Sequence, residues 1–297
     1  MIQNIDLIEK YRPIKSVIVN ANNEITIDSA KQATEIGLIE PILVGDEKFI
    51  RSEAEKLKWV IDNINIVNTQ DEAESAHIGC ELAKIDQISL IIKGHMHTDI
   101  LMSEYIKSEY SLRLKGERLS HIWFMTFQNN EREPLIITDG ALNIKPSLET
   151  KKSIITNVIN FTSKIKDFDP KIAILSATEE ILDQMESSSD ADKLMDWSKK
   201  SFPDQKIFGP LAFDNAISTD AALIKGISNP VAGNANVIIV PNIETGNSLV
   251  KIMVNFMNSI AGGFIVGGKV PVVITSRSDN VESRLSSISN AILSIDR

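Results

Sequence analysis

Short β-branched runs alternate with amphipathic stretches along most of the chain. Ser16–Asn20, Pro41–Gly45, Ile64–Val67 and Ile88–Ile92 read as strands, the last ending at Lys93-Gly94. Between them, Ser29–Ile36, Glu47–Trp59 and Gln70–Lys84 read as helices. Asp28 is placed as the cap of the first helix and Gly37 as its stop. A strand, helix and strand within about 30 residues imply a parallel pair, and repetition of the unit implies a wound α/β domain.

The alternation continues. His95-Met-His-Thr-Asp99 opens a helix reaching about Lys107, and Leu112–Arg118 is a turn-rich connection. Ile122–Phe127 and Leu135–Thr138 are strands flanking the polar turn Asn129–Pro134. Ser147 caps Leu148–Ile165, a long helix with Ile154, Ile155, Val158 and Ile159 on one side. After the strand Lys171–Ser176, Glu186-Ser-Ser-Ser-Asp-Ala-Asp192 reads as a mobile acidic loop, followed by a helix to about Lys200. Phe208–Ala216 reads as a loop leading into Asp220–Lys225.

In the last quarter, Val237–Val240 and Val272–Thr275 have the apolar continuity of strands buried on both faces. Between them, Gly263-Phe-Ile-Val-Gly-Gly-Lys269 matches most of a phosphate loop. Val270 stands where a magnesium-binding hydroxyl belongs, and Pro271 forbids a helix start, so the run reads as a buried strand with glycine flanks. Ser276-Arg277-Ser278-Asp279 follows a buried strand and precedes the helix-like Val281–Leu293. Backbone N–H groups and an arginine at such a strand end suit an anion.

Composition narrows the partners. A chain of 297 residues with net charge −9 lacks the basic surface that nucleic acid or an anionic membrane requires. The single cysteine, Cys80, excludes a disulfide within the chain and fits a cytoplasmic setting. It lies on a helix face with Ala73, Ala76 and Ala83 and reads as core. No apolar run approaches the roughly 18 residues of a membrane span. His95 and His97 lack the further ligands of a metal site, so His97 reads as a hydrogen-bonding group near a helix start.

Several motifs occur together in order. They are Gly209-Pro-Leu-Ala-Phe-Asp-Asn-Ala-Ile-Ser218, Ser228-Asn-Pro-Val-Ala-Gly-Asn-Ala-Asn236, Pro241-Asn-Ile-Glu-Thr-Gly-Asn247 and Thr275-Ser-Arg-Ser-Asp279. Earlier come Gly37–Asp46, Lys93-Gly94 with His97-Thr98, Arg118-Leu-Ser-His121 and Ile137–Ile144. Over residues 14–294 the chain resembles the phosphate acetyl/butyryltransferase family, and its butyryl branch more than its acetyl branch.

That resemblance implies the reaction acyl-CoA + phosphate ⇌ acyl phosphate + CoA. It needs no metal, no cofactor beyond coenzyme A as substrate, and no covalent acyl-enzyme. The implied fold is two α/β subdomains with a cleft between them, on an isocitrate/isopropylmalate dehydrogenase-like scaffold. We place residues 1–146 and 276–297 in the first subdomain and 147–275 in the second, and expect a homodimer or higher homo-oligomer. Ser276 and Arg277 are the implied reacting-centre residues. The family's acid lies a few residues further on. Asp279 and Glu282 are the candidates, because an ungapped count lands on Ser283.

Substrate contacts are expected from His97, Thr98, Arg118, Gly209, Pro210, Leu211, Asn242, Glu244, Gly246 and Asn247. Two departures from the pattern stand out. Met102 or Ser103 occupies the place of an arginine after the His-Thr pair, and Asn20-Ala-Asn-Asn23 lacks an acidic turn. Arg113 or Arg118 could substitute for the former. The rival readings are a non-catalytic relative that binds CoA or acyl phosphate, and a metal- and NAD-dependent dehydrogenase on the same scaffold.

Overall fold

The computed structural model describes residues 13–127, 133–275 and 279–295. In chain order the elements are β1 (Ile14–Val19), α1 (Glu24–Glu35), β2 (Ile39–Gly45), α2 (Glu47–Lys56), β3 (Asn65–Asn68), α3 (Glu72–Lys84), β4 (Leu90–Lys93) and α4 (Thr98–Tyr105). There follow β5 (Ser120–Phe127), β6 (Leu135–Thr138), α5 (Leu148–Thr162), β7 (Lys171–Leu175), α6 (Glu186–Ser201), β8 (Lys206–Leu211), α7 (Phe213–Ile217) and α8 (Thr219–Ile224). The last are β9 (Val237–Ile239), α9 (Ile243–Met257), β10 (Ser259–Val266), β11 (Val272–Val273) and α10 (Val281–Leu293). Among these elements no helix is long and apolar enough to cross a membrane.

The chain divides into two compact units. One runs to Arg118 and resumes at Gly262, and the other is Leu119–Ala261. This differs from the expected limits at 146/147 and 275/276. β6 pairs in parallel with β9 and antiparallel with β5, which ties both strands to the second unit. At the other limit, Gly263 N–H donates to Ser287 Oγ of α10 at 2.9 Å, joining the end of β10 to the first unit.

In the first unit the strands lie in the order β3-β2-β1-β4-β11-β10. All are parallel except β10, which runs antiparallel to β11. Val17–Val19 and Leu90–Ile92 are at most 5% exposed. Each such side chain contributes about 1.5–3 kcal/mol by leaving water. The Gly263–Lys269 run is the end of β10 and the turn after it, as its apolar centre requires.

The first helix begins a turn earlier than Asp28 suggested. Asn23 is its cap, accepting from Thr26 N, while Asp28 accepts from the Gln32 amide one turn on. Gly37 stops the helix at φ +75°, a conformation a side chain disfavours.

In the second unit the order is β5-β6-β9-β7-β8, with all but β5 parallel. Ser147 caps α5 as expected, accepting from Thr150 N. Two expectations fail here. Glu186–Asp192 is helix, not mobile loop: Ser188 Oγ donates to Glu180 O, and Asp190 takes an ion pair from buried Lys151 at 2.7 Å. Gly209-Pro-Leu211 is strand rather than loop. It forms the end of β8, which among the described strands pairs with β7 alone, and proline is tolerated on such an edge.

Candidate active site

Parallel strands deliver their following loops to one edge, and ligands collect where the chain order reverses. In the first unit that reversal falls between β1 and β4, because the chain steps outward to β2 and β3 before returning. The strands β1, β4 and β11 run parallel and end at this edge.

The β1 and β4 loops are locked to each other. Gly94 N–H donates to Val19 O at 2.8 Å and His95 N–H to Asn20 O at 2.9 Å. Gly94 has no room for a side chain, since a Cβ would lie 2.4 Å from Asn20 O. Asn20 holds φ +57°, and its amide donates to His95 O. Asn22 bonds both Asn20 Oδ1 and Asp46 N–H, and Asn23 caps α1. The asparagine run thus supplies connections where an acidic turn was expected.

Lys93, quoted above only as part of a motif, is 3% exposed. Its ammonium donates to Gly94 O at 3.3 Å and Met96 O at 3.0 Å, placing positive charge beneath the turn. His97 precedes α4 without capping it through its side chain. Its N–H donates to Glu72 Oε2 at 2.9 Å and its Nδ1 lies 3.0 Å from the same oxygen. The imidazole therefore has the helix-start role read from the sequence, and Thr98 is the first residue of α4. Arg118 is exposed at the end of this unit's first segment. Of the two residues at the place of the expected arginine, Met102 is buried on α4 and Ser103 is exposed.

Ser276 and Arg277 lie outside the described residues, as does Ser278. The chain is described again at Asp279, whose carbonyl accepts from Arg284 Nε at 3.3 Å. Asn280 caps α10 by accepting from Ser283 N at 2.9 Å. Glu282 is in the first turn, where the helix N-terminus favours a carboxylate. Arg284 is buried at 5% exposure, and burial pushes its guanidinium below the usual arginine range, with Asp279 opposing.

The second unit has its own carboxyl edge. Asp139, 1% exposed after β6, accepts from the N–H groups of His121, Ala141 and Leu142 and from the Asn143 amide. His121 is fully buried, and desolvation lowers its pKa to about 4, so the ring is neutral near pH 7. Gly246 in α9 touches Gly140: a Cβ at 246 would lie 2.6 Å from Gly140 Cα. Asn247 Nδ2 lies 3.4 Å from Gly140 O.

Asn242 caps α9, accepting from Thr245 N and Oγ1 at 2.9 and 2.7 Å. Asn242 and Glu244 line a cavity of about 260 Å³ with Lys145, Lys151 and Ser187. Lys145 pairs with Glu186 at 3.0 Å, so the cavity's cations are largely matched by acids. Gly209, Pro210 and Leu211 end β8. Leu211 is 0% exposed in the apolar core, and Gly209 packs against Ile174, where a Cβ would come within 2.6 Å of Ile174 O.

The structure thus gathers Asn242, Glu244, Gly246 and Asn247 at one edge. It places His97, Thr98, Asp279 and Glu282 on loops and helix starts of the other.

Residues 74–292 match the model of the phosphate acetyl/butaryl transferase family. A phosphate acetyltransferase of Rickettsia prowazekii (strain Madrid E) is 37% identical over 92% of this chain and 78% of its own. A phosphate butyryltransferase of Clostridium acetobutylicum is 34% identical over 96% of this chain and 94% of its own. The crystal structure of a branched-chain phosphotransacylase from Enterococcus faecalis V583 superposes with TM-score 0.80 at 32% identity, covering 95% of this chain and 98% of that one. The fold alone extends further, to a 4-hydroxythreonine-4-phosphate dehydrogenase from Burkholderia phymatum at TM-score 0.57 and 13% identity. An α/β chain of this topology, matched over most of its length, belongs to the phosphate acetyl/butaryl transferase family. It is an acyltransferase, and within that class a phosphate acyltransferase.

Proposed function

We propose that the enzyme transfers a short acyl group reversibly between coenzyme A and inorganic phosphate, with butyryl-type substrates preferred over acetyl. Arg277 grips the phosphate through paired guanidinium hydrogen bonds, and Ser276 donates to the acyl oxygen as it gains charge. A phosphate oxygen attacks the thioester carbonyl, the C–S bond breaks, and the sulfur leaves as thiolate to be protonated. In reverse, Asp279 or Glu282 takes the thiol proton, the thiolate attacks the carbonyl of acyl phosphate, the C–O bond breaks and inorganic phosphate leaves. A free thiol ionises near pH ~8.5, so such a base raises the reactive fraction at neutral pH. Fixing both substrates side by side supplies much of the acceleration.

His97, Thr98 and Arg118 of the first unit, and Gly209–Leu211 with Asn242, Glu244, Gly246 and Asn247 of the second, are the remaining proposed substrate contacts. No metal, cofactor or covalent acyl-enzyme enters this scheme. The observation that carries it is the family match across residues 74–292, a span containing every residue assigned here.

The test is thiol release from acetyl-, propionyl- and butyryl-CoA with and without phosphate. Phosphate-dependent release, fastest with butyryl-CoA, is expected. No phosphate dependence overturns the activity, and acetyl-CoA as the fastest substrate overturns only the preference.

We also infer a cytoplasmic homodimer or higher homo-oligomer. In its support, Ile252 and Phe256 on α9 are 51% and 84% exposed, an unusual outlay of apolar surface for a face meeting water. A monomer mass in light scattering would contradict the assembly.

A further inference from the structure

Arg284 is out of place on its helix. Residues 284–293 of α10 are all buried, and Arg284 shares an apolar stripe with Ile288, Ala291 and Ile292, which follow it at helical spacing. A guanidinium in such a position needs partners, and it spends Nε on the carbonyl of Asp279. Beside it lies a cavity of about 10 Å³, lined by Ile18, Thr26, Ser29, Ile92, Thr275 and Arg284 among others. That volume admits one water. Thr26 is 2% and Thr275 3% exposed, and among the described residues both buried hydroxyl oxygens are without a partner. Ser29 does not serve them, because its hydroxyl donates to Thr26 O. A lone buried hydroxyl is unfavourable, and a water between two of them relieves both. The described lining residues carry no carboxylate, so their chemistry suits a neutral guest that accepts from a guanidinium and donates to hydroxyl oxygens.

We infer that Arg284 is a positioning residue for the acyl-transfer site, acting with one internal water held between Thr26 and Thr275. The inference rests on the assignment of Ser276 and Arg277 made above. Thr275 and Asp279 are the residues on either side of the 276–278 tripeptide. The water ties the first to α1, and Arg284 holds the second to α10. Misplacement of a reacting group by an ångström lowers a rate by up to about 100-fold, and a group that acts only in the transition state lowers kcat and kcat/KM together.

The test compares the wild-type enzyme with Arg284→Met, Arg284→Lys and Thr26→Val in the thiol-release assay, alongside a high-resolution crystal structure of the wild type. Arg284→Met should lower kcat by about tenfold or more while the KM for acyl-CoA stays within about twofold, and Arg284→Lys should restore part of the loss. Thr26→Val keeps its shape and should lower kcat by about threefold with the circular dichroism spectrum unchanged. The crystal structure should show a water within hydrogen-bonding distance of both threonine hydroxyls. A folded Arg284→Met enzyme with wild-type kcat overturns the inference, and so does a crystal structure without that water. If Arg284→Met fails to fold, Thr26→Val and the water decide. A wild type without phosphate-dependent release counts against the proposed activity instead, and the water can still be read from the crystal.

Discussion

At the carboxyl edge of the second unit, the turns are held by Asp139 with its converging donors and by two glycines in van der Waals contact. At the first unit's edge, main-chain bonds between the β1 and β4 loops do the holding. There Glu282 is left half-buried on a helix start, and Lys93 and Arg284 are sunk just beneath the turns. The second edge invests its polar groups in shape, and the first sets buried cationic charge beneath the turns that carry the residues assigned to the chemistry. Substitutions in the second unit should therefore read out chiefly as lost stability, and those in the first chiefly as altered kinetics.

The largest stability effect is expected at the Lys151–Asp190 pair, whose side chains are 5% and 12% exposed. Asp190→Ala strands a buried ammonium and should cost roughly 3–5 kcal/mol, while Lys151→Met with Asp190→Leu should recover most of that. Urea unfolding of the single and double variants checks both halves.

A smaller effect appears on acidification. His121 is held neutral by burial, with its pKa lowered from 6.5 to about 4. Above pH 6.5 neither folded nor unfolded state binds its proton, so it contributes no pH dependence there. Between 6.5 and 4 the unfolded state takes the proton and the folded state does not, so stability falls with pH by roughly 3 kcal/mol. Melting temperatures of His121→Phe and wild type should diverge in that window in favour of the variant. Parallel curves would mean the ring finds a proton partner in the fold.

The smallest effect is expected at the first edge. His97 is 60% exposed and its pairing with Glu72 is worth about 0–1 kcal/mol. His97→Ala should leave the melting temperature nearly unchanged and raise the KM for acyl-CoA a few-fold. An unchanged KM would reduce the imidazole to a helix-start group.

Much of this architecture is legible in the chain. The alternation of β-branched runs with capped helices gives the wound α/β class, the Ser147 cap and the strand nature of the Gly263–Lys269 run. The failures share a cause, in that tertiary contacts overrode local preference. Glu186–Asp192 looks like a linker because serines and acids favour turns, yet its helix is secured by Ser188 and by the Asp190 pair with Lys151, 39 residues away. The end of β8 hides behind Gly209-Pro210, which read as punctuation wherever the edge position of the strand is unknown. Arg284 left a signal that could have been used: an arginine four and seven residues before Ile288 and Ala291, on an otherwise apolar stripe. For the site, order and motif named the residues, but not that the Asn20–Asn23 turn would be a scaffold of side-chain amides.

The account stands most directly on Arg277. With butyryl-CoA and saturating phosphate, Arg277→Ala should release thiol about 100- to 1,000-fold more slowly than wild type, with an unchanged melting temperature. Turnover within a few-fold of wild type, in a folded variant, would place the phosphate on other residues and contradict the assignment.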